Sequence, residues 1–138
     1  MNRYLLTIFI FFGLLISCEK EDQDISIADE TFTGTFERNP VWSDGRISNV
    51  SLTFTSEKWT GQSDSEKYPA LCHGTYLIKG NKITFVNECA WTAEFDQSLI
   101  LSGEYLISLK NGRLEISRDY SNATADLYKD IYILEREK

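Results

Sequence analysis

The chain has 138 residues, of which 14 are Lys or Arg and 21 are Asp or Glu, so its net charge at pH 7 is −7. Such an acidic chain is poorly suited to binding nucleic acid or to docking by charge on anionic lipid. About 110 residues follow the N-terminal region described next, which is enough for one domain with a substantial core.

An apolar run of about a dozen residues follows Arg3 and ends at Cys18. A basic start and a short apolar run are typical of a secretory signal. The run is shorter than the roughly 20 apolar residues that a membrane-spanning helix needs. We therefore predict a signal peptide over residues 1–17.

The end of this run, Leu15-Ile16-Ser17-Cys18, resembles the lipobox of bacterial lipoproteins. In that family the cysteine thiol receives a diacylglycerol, the peptide is cut just before it, and the new amine is acylated. The resemblance implies that Cys18 carries fatty acids such as palmitate and anchors the protein in a lipid bilayer, because two or more acyl chains anchor stably where one is marginal. The alternative is an ordinary cleaved signal with a cysteine there by chance.

The stretch after Cys18 is charged and contains no aromatic residue. It cannot bury enough apolar surface to fold, so we predict a flexible tether over residues 18–29 and a single domain over residues 30–138. Acidic residues directly behind the cysteine resemble the export signal of some Gram-negative surface lipoproteins. This resemblance implies an outer-membrane lipoprotein of the cell envelope that faces outward.

From residue 31 onward, apolar and polar residues alternate, as in Phe32, Gly34 and Phe36, which are separated by threonines. A period of two predicts half-buried strands, and no stretch shows the apolar stripe of a helix. We predict eight strands, at about 31–37, 49–56, 57–61, 71–79, 82–90, 99–109, 113–119 and 128–136.

The pair Gly80-Asn81 predicts a two-residue hairpin turn of type II′. Counting outward from this turn brings Cys72 opposite Cys89. The same count makes Cys72 and Cys89 a non-hydrogen-bonded pair. Facing residues of this kind have Cα atoms about 4.5 Å apart, which is within reach of a disulfide. We therefore predict a Cys72–Cys89 disulfide in an exported protein; the alternative is two free, buried thiols.

The pair Asn111-Gly112 predicts a second hairpin with a type I′ turn. Its register makes Ile107 face Ile116 and Tyr105 face Arg118. Farther out, Glu104 faces Asp119 and Gly103 faces Tyr120, and the two like charges are expected to weaken the pairing there.

Two strands begin with Gly and Tyr on the apolar face, at Gly74-Thr75-Tyr76 and Gly103-Glu104-Tyr105. Glycine relieves crowding where a strand bends sharply. A bent antiparallel sheet of eight strands closes well into a barrel, which removes exposed edges. We predict an all-β fold, an antiparallel up-and-down meander closing into a barrel; the alternative is a two-sheet β-sandwich.

This pattern resembles a lipocalin-like (calycin-type) barrel. That family has a Gly-x-Trp on its first strand and an Arg near the end of its last strand that packs across the Trp. Here Gly34-Thr35-Phe36 and Arg136 occupy those places, with Phe in place of Trp. The resemblance implies a barrel open at one end and a habit of binding small hydrophobic molecules.

Arg118 shares the inward face with several tyrosines, where a charge is costly unless it is paired. It either holds the head group of an anionic ligand or lies over the Tyr rings at the barrel mouth with its head in water. The predicted ligand-binding residues are Tyr76, Phe85, Tyr105, Ile107, Arg118 and Tyr120. In a barrel without a cavity, these side chains simply fill the interior.

No motif for a nucleophile, a phosphate or zinc is present, so we expect neither an enzyme nor a metal or cofactor. The hairpin register makes His73 face Glu88 as a solvated pair, on the sheet face away from Cys72. We expect a membrane-anchored lipoprotein that binds a small hydrophobic or amphipathic ligand. The alternative is a protein-interaction module, such as an inhibitor, immunity protein or accessory subunit, that uses its loops at 38–46, which contains Trp42, and 61–70.

Overall fold

The computed structural model describes residues 24–40, 45–120 and 128–138. These residues form eight strands that pair antiparallel in chain order, and the last strand pairs with the first to close a barrel. The predicted all-β barrel is confirmed, and the sandwich alternative is wrong. The strands are β1 (Glu30–Pro40), β2 (Ile47–Thr55), β3 (Lys58–Ser63), β4 (His73–Lys79), β5 (Lys82–Asn87), β6 (Gly103–Lys110), β7 (Arg113–Tyr120) and β8 (Tyr128–Arg136).

Both hairpins have the predicted registers. Tyr76 faces Phe85 across β4 and β5, and Ile107 faces Ile116 across β6 and β7. Asn111 and Gly112 both have positive φ, at 52° and 80°, as a type I′ turn requires. The ladder between β6 and β7 ends at Leu106 and Ser117, before the two facing acidic residues, as expected.

Two inward-facing glycines allow neighbouring strands to approach closely. A Cβ at Gly34 would overlap the Ile133 carbonyl oxygen, and one at Gly74 would overlap the Val86 carbonyl oxygen. Any other residue would force the backbones of these strand pairs apart. This close approach explains why the residue at position 74, two before Tyr76, is a glycine.

Aromatic side chains fill the interior of the barrel. The largest fully buried ones include Trp59, Tyr132, Phe54 and Phe85. Their rings touch in series: the centroids are 5.5 Å apart between Trp59 and Phe85, 5.7 Å between Phe85 and Tyr105, and 6.3 Å between Tyr105 and Tyr132. Each such contact adds about 0.5–1.5 kcal/mol to the free energy of burial.

The two ends of the barrel differ in their connections. At one end, which we call the turn end, strands are joined by the two-residue turns 56–57, 80–81 and 111–112. At the other, the loop end, they are joined by the longer connections 41–46, 64–72, 88–102 and 121–127. Because the strands run up and down in chain order, both the start of β1 and the finish of β8 lie at the turn end.

The segment before β1 packs on the turn end. Ile27 is 1% exposed and belongs to the core, and Ile25 packs against that core. The core therefore begins three residues before the predicted domain start at residue 30, because two isoleucines spaced by two bury their apolar side chains together. The predicted signal peptide, Cys18 and the first part of the predicted tether lie outside the described residues, and those boundaries stay predictions.

Candidate functional site

The six predicted ligand-binding residues are spread along the whole length of the barrel. Phe85, Tyr105 and Ile107 are core residues with at most 3% of their surface exposed. Tyr76 lies nearer the turn end, where its hydroxyl donates a hydrogen bond to the Ser56 carbonyl over 2.6 Å. At the loop end lie Arg118 and Tyr120, both half-buried.

Arg118 lies over tyrosine rings. Its guanidinium carbon is 4.2 Å from the ring centroids of both Tyr105 and Tyr120. One guanidinium nitrogen donates a hydrogen bond to the Ser102 carbonyl over 2.6 Å. The buried Nε of Arg118 has no hydrogen-bond partner among the described residues. Of the two predicted placements of Arg118, the one over the Tyr rings matches these ring contacts, but Nε is buried and not in water as that placement predicts.

A second arginine, Arg38, forms a buried ion pair at the loop end. Arg38 and Asp130 face each other across β1 and β8 and are 8% and 1% exposed. The Arg38 Nε–Asp130 Oδ1 distance is 2.6 Å, and a terminal guanidinium nitrogen lies 2.8 Å from Oδ2. The Tyr128 ring centroid lies 4.1 Å from the guanidinium carbon. This is the bidentate, ring-stacked geometry that only arginine can form.

The remaining N–H groups of Arg38 bind the connection between β5 and β6. They donate to Asp96 Oδ2 over 2.9 Å, to Ser98 Oγ over 2.8 Å and to the Ser98 carbonyl over 3.0 Å. The Tyr120 hydroxyl donates to the same carbonyl over 3.1 Å. All five guanidinium N–H groups of Arg38 are thus used.

We call this connection, residues 88–102, the lid, because it folds across the loop end. It contains a short 3₁₀ helix, Gln97–Leu99, and its Leu101 is fully buried in the core. The lid also pairs with the 64–72 connection: the Ala70 amide donates to the Leu99 carbonyl, and the Leu101 amide donates to the Ala70 carbonyl. Three side chains on the barrel strands donate hydrogen bonds to the lid and hold it in place: Arg38, Arg118 and Tyr120.

Burial and charge pairing shift the pKa values of the ionisable side chains at the loop end. Burial raises the pKa of Asp130, although the hydrogen bonds and charge of Arg38 oppose the rise. Burial also disfavours the charge of Arg38, but the hydrogen bonds and charge of Asp130 outweigh this and raise the pKa of Arg38. Burial raises the pKa of Tyr105 to about 12, so its phenol is neutral at neutral pH.

The disulfide predicted between Cys72 and Cys89 is confirmed. The Cα–Cα distance is 6.4 Å, longer than the expected 4.5 Å of a ladder pair. The reason is that the ladder between β4 and β5 ends at Gly74 and Asn87, and the two chains separate beyond it.

His73 does not lie on the face away from the cysteines, and that prediction is wrong. Its Nδ1 is 3.3 Å from Cys72 Sγ and 3.2 Å from Cys89 Sγ. The strict alternation behind the prediction fails here because His73 is the first residue of β4 and the cystine lies outside the ladder.

The lipocalin-like pattern is met only in part. Arg136 forms an ion pair with Glu30 and lies 5.8 Å from the Phe32 ring, not across Phe36. Phe36 packs instead on Tyr132 and Tyr68, at centroid distances of 4.8 and 5.2 Å.

The sequence analysis singles out neither Arg38, which it places in the loop 38–46, nor Asp130, which falls in the predicted strand 128–136 but has its partner on β1. The signal was present: continuing the inward series Phe32, Gly34 and Phe36 by one step reaches Arg38. The same alternation, taken back from Tyr132, reaches Asp130. Trp42, the aromatic residue of the predicted binding loop, lies outside the described residues.

Three grooves lined by described residues are open to solvent, with volumes of about 690, 420 and 230 Å³. Of the six predicted ligand-binding residues, only Tyr76 lines one of them, the smallest, beside Ile25 and Ile27.

Comparison with protein-family models, with curated proteins and with solved structures finds no match for this chain. In the part of the chain that the structure describes, no helix has the length and apolar character needed to span a bilayer.

Proposed function

We propose that this protein is a cell-envelope lipoprotein, anchored in the outer membrane through an acylated Cys18, whose barrel is a rigid scaffold that binds a protein partner. It acts by binding rather than by catalysis. The observation that carries this proposal is the packing of the barrel interior. An eight-stranded barrel is either filled by side chains or holds one small ligand, and here aromatic rings contact one another through the core.

A small ligand would have to displace part of that core. Phe85 and Tyr105 lie in the middle of the ring series and are at most 2% exposed. Moving such side chains aside loses packing worth several kcal/mol, on the scale of large-to-small core substitutions. The mouth is also covered by the lid, so entry from the loop end would break the hydrogen bonds of Arg38 as well.

The outer surface offers a contact region for a partner. Leu77, Val86 and Leu106, on β4, β5 and β6, are 55%, 52% and 49% exposed. We call these three residues the β4–β6 patch. Leu77 lies diagonally across from Val86, whereas Leu106 lies opposite Lys82, which forms an ion pair with Glu104 at an N–O distance of 2.7 Å. Apolar side chains interspersed with polar and charged ones are the usual composition of a non-obligate protein interface.

Site-specific photo-crosslinking in intact cells tests this surface. A photoreactive residue at Leu106 should give one discrete, higher-mass adduct. The same residue at Glu135, exposed on β8 across the barrel from β4, is the matched control. Equal labelling at both positions, or no adduct at Leu106, would refute the patch as the binding surface.

The competing small-ligand hypothesis is tested with Arg118→Met and a fluorescent fatty-acid probe beside its neutral analogue. We expect no saturable binding by either variant, and a small loss of stability from the lost stacking on Tyr105 and Tyr120. If the wild type binds the anionic probe and Arg118→Met weakens it by roughly 1.5–3 kcal/mol, the barrel is a ligand carrier.

The anchor is tested separately by metabolic labelling with a radioactive fatty acid. Cys18→Ser should abolish the label and leave the precursor uncut, because the lipid is attached to the thiol before cleavage. Label that persists in Cys18→Ser would contradict the anchoring proposal and leave the crosslinking result standing.

A further inference from the structure

The cystine and His73 form a cluster at the base of the lid. Cys72 belongs to the 64–72 connection, Cys89 begins the lid, and His73 opens β4. The ligand atoms of the three residues, two Sγ and one imidazole nitrogen, lie within 4.8 Å of one another. His73 is the chain's single histidine, and these are its only cysteines apart from Cys18.

The two nitrogen–sulfur distances in this cluster are close to those between the ligands of a metal ion. In a tetrahedral zinc site, Zn–S bonds of about 2.3 Å and Zn–N bonds of about 2.0–2.1 Å place neighbouring ligand atoms roughly 3.5–3.8 Å apart. The His73 Nδ1 already lies 3.3 and 3.2 Å from the two sulfurs. A reduced pair needs only to move its sulfurs apart, and both cysteines lie beyond the last ladder pair, Gly74 and Asn87, and beyond the single Glu88–His73 backbone bond that follows it.

The backbone holds all three residues in position. The Gly61 amide donates to the Cys72 carbonyl over 2.8 Å, and the Glu88 amide donates to the His73 carbonyl over 3.0 Å. The Asn87 side chain accepts from the Cys89 amide over 3.0 Å. Its same oxygen accepts from Trp91 Nε1 over 2.9 Å, so the turn that presents Cys89 is fixed.

We propose that Cys72, Cys89 and His73 form a zinc-binding site when the disulfide is reduced. A dithiol donor transfers two electrons and two protons to the cystine, giving two thiols and a disulfide on the donor. Zn²⁺ then binds both sulfurs as thiolates and the His73 Nδ1, releasing two protons, and water completes the tetrahedron. His73 is exposed, which leaves room for that fourth ligand.

This arrangement would keep the lid attached in both redox states. In the oxidised protein a covalent bond joins the lid to the 64–72 connection, and in the reduced protein the metal would join the same two segments. Metal binding at this site does not require the proposed protein partner.

Cobalt titration tests the site, because Co²⁺ takes the same ligands and reports thiolate bonds by a sulfur-to-metal absorption. The protein is the full chain carrying Cys18→Ser, so that Cys72 and Cys89 are its remaining thiols. It is reduced, freed of reductant and kept free of oxygen. One Co²⁺ per chain should bind with a two-thiolate absorption, Zn²⁺ should displace it, and the oxidised protein should show neither.

His73→Ala is the decisive variant, and Glu88→Gln is its matched control. His73→Ala should weaken binding by more than the roughly 10- to 100-fold that loss of an outer partner of a metal ligand costs, whereas Glu88→Gln should leave binding unchanged. Near-ultraviolet circular dichroism on the same samples checks that the reduced chain keeps its fold. Equal affinity of His73→Ala and its parent, equal binding by the oxidised protein, or binding only by an unfolded reduced chain would overturn the proposal.

Discussion

The two ends of this barrel are closed by different physical means. At the turn end, two-residue turns join the strands and the apolar side chain of Ile27 completes the core. At the loop end, the buried Arg38–Asp130 ion pair completes the core, and the Arg38 guanidinium also hydrogen-bonds to the lid.

The difference follows from what each end has to hold. An apolar plug is stabilised by the area it removes from water and needs no particular geometry. A lid of fifteen residues, 88–102, carries many polar backbone groups and has to be fixed in one arrangement. Directional hydrogen bonds from a rigid guanidinium provide that arrangement, at the cost of desolvating two charges.

Removing one partner of the buried pair should have the largest effect. Asp130→Ala leaves the buried Arg38 charge with only the exposed Asp96 carboxylate as a partner and should lower the free energy of unfolding by about 3–5 kcal/mol, measured by urea denaturation. The double variant Arg38→Met, Asp130→Leu should recover most of the loss, because an apolar pair of similar volume leaves no buried charge. If the double variant is no more stable than Asp130→Ala, the ion pair stabilises the fold mainly through the hydrogen bonds of Arg38 to the lid.

Ile27→Ala should come next, with a loss of about 2–4 kcal/mol from lost burial and incomplete collapse of the site. Since no charge is involved, the loss should be the same at low and high salt. Ile25→Ala is a useful comparison, because Ile25 only packs against the core from its edge. A loss that varied strongly with salt would contradict a purely apolar closure.

Reducing the disulfide should cost no more than about 3 kcal/mol, the chain-entropy value for a loop of this size. The measurement is hydrogen exchange of the metal-free, reduced protein. Amides of the lid should exchange faster, while those of β6 and β7 beside the turn 111–112 should not change. Uniform acceleration over the whole barrel would show that the disulfide supports the global fold rather than the loop end.

Asp96→Asn should have the smallest effect. The Asp96 side chain is 56% exposed, so its pair with Arg38 is worth at most about 1 kcal/mol. Burial alone would raise the pKa of Asp96, but the hydrogen bonds from Ser98, together with the charge and hydrogen bond of Arg38, lower it. Because the pKa of Asp96 in the folded protein is lowered from its ordinary value of 3.8, its contribution to stability is fully present above pH 3.8. That contribution is lost as the pH falls below 3.8 through the lowered pKa. Wild type and Asp96→Asn should therefore differ at neutral pH and converge in acid, as followed by urea denaturation.

The barrel could be predicted from the sequence because its signals are local. The alternation around Phe32 and Phe36 and the turns at Gly80-Asn81 and Asn111-Gly112 each involve a few neighbouring residues. They fix the register, and the register in turn brought Cys72 opposite Cys89.

The closure of the two ends was harder to predict because it depends on distant parts of the chain. Arg38 meets Asp130 only once β8 closes on β1, and it meets Ser98 only once the lid folds back. Ile25 and Ile27 are two apolar residues in a charged stretch that is too short to indicate a strand, so the sequence does not show that they join the core. His73 turned onto the cystine because the ladder ends at Gly74, a boundary that alternation alone does not mark.

Under the proposed anchoring, the packing of Ile27 on the turn end would also orient the barrel relative to the membrane. Eight residues lie between Cys18 and Ile27, and the nine Cα–Cα steps from one to the other span roughly 30 Å at full extension. Under the proposed anchoring, the turn end would face the bilayer and the lid would point away from it. The cystine and Trp91 would then lie on the distal side, where a soluble reductant or a large partner could approach without steric hindrance from lipid head groups.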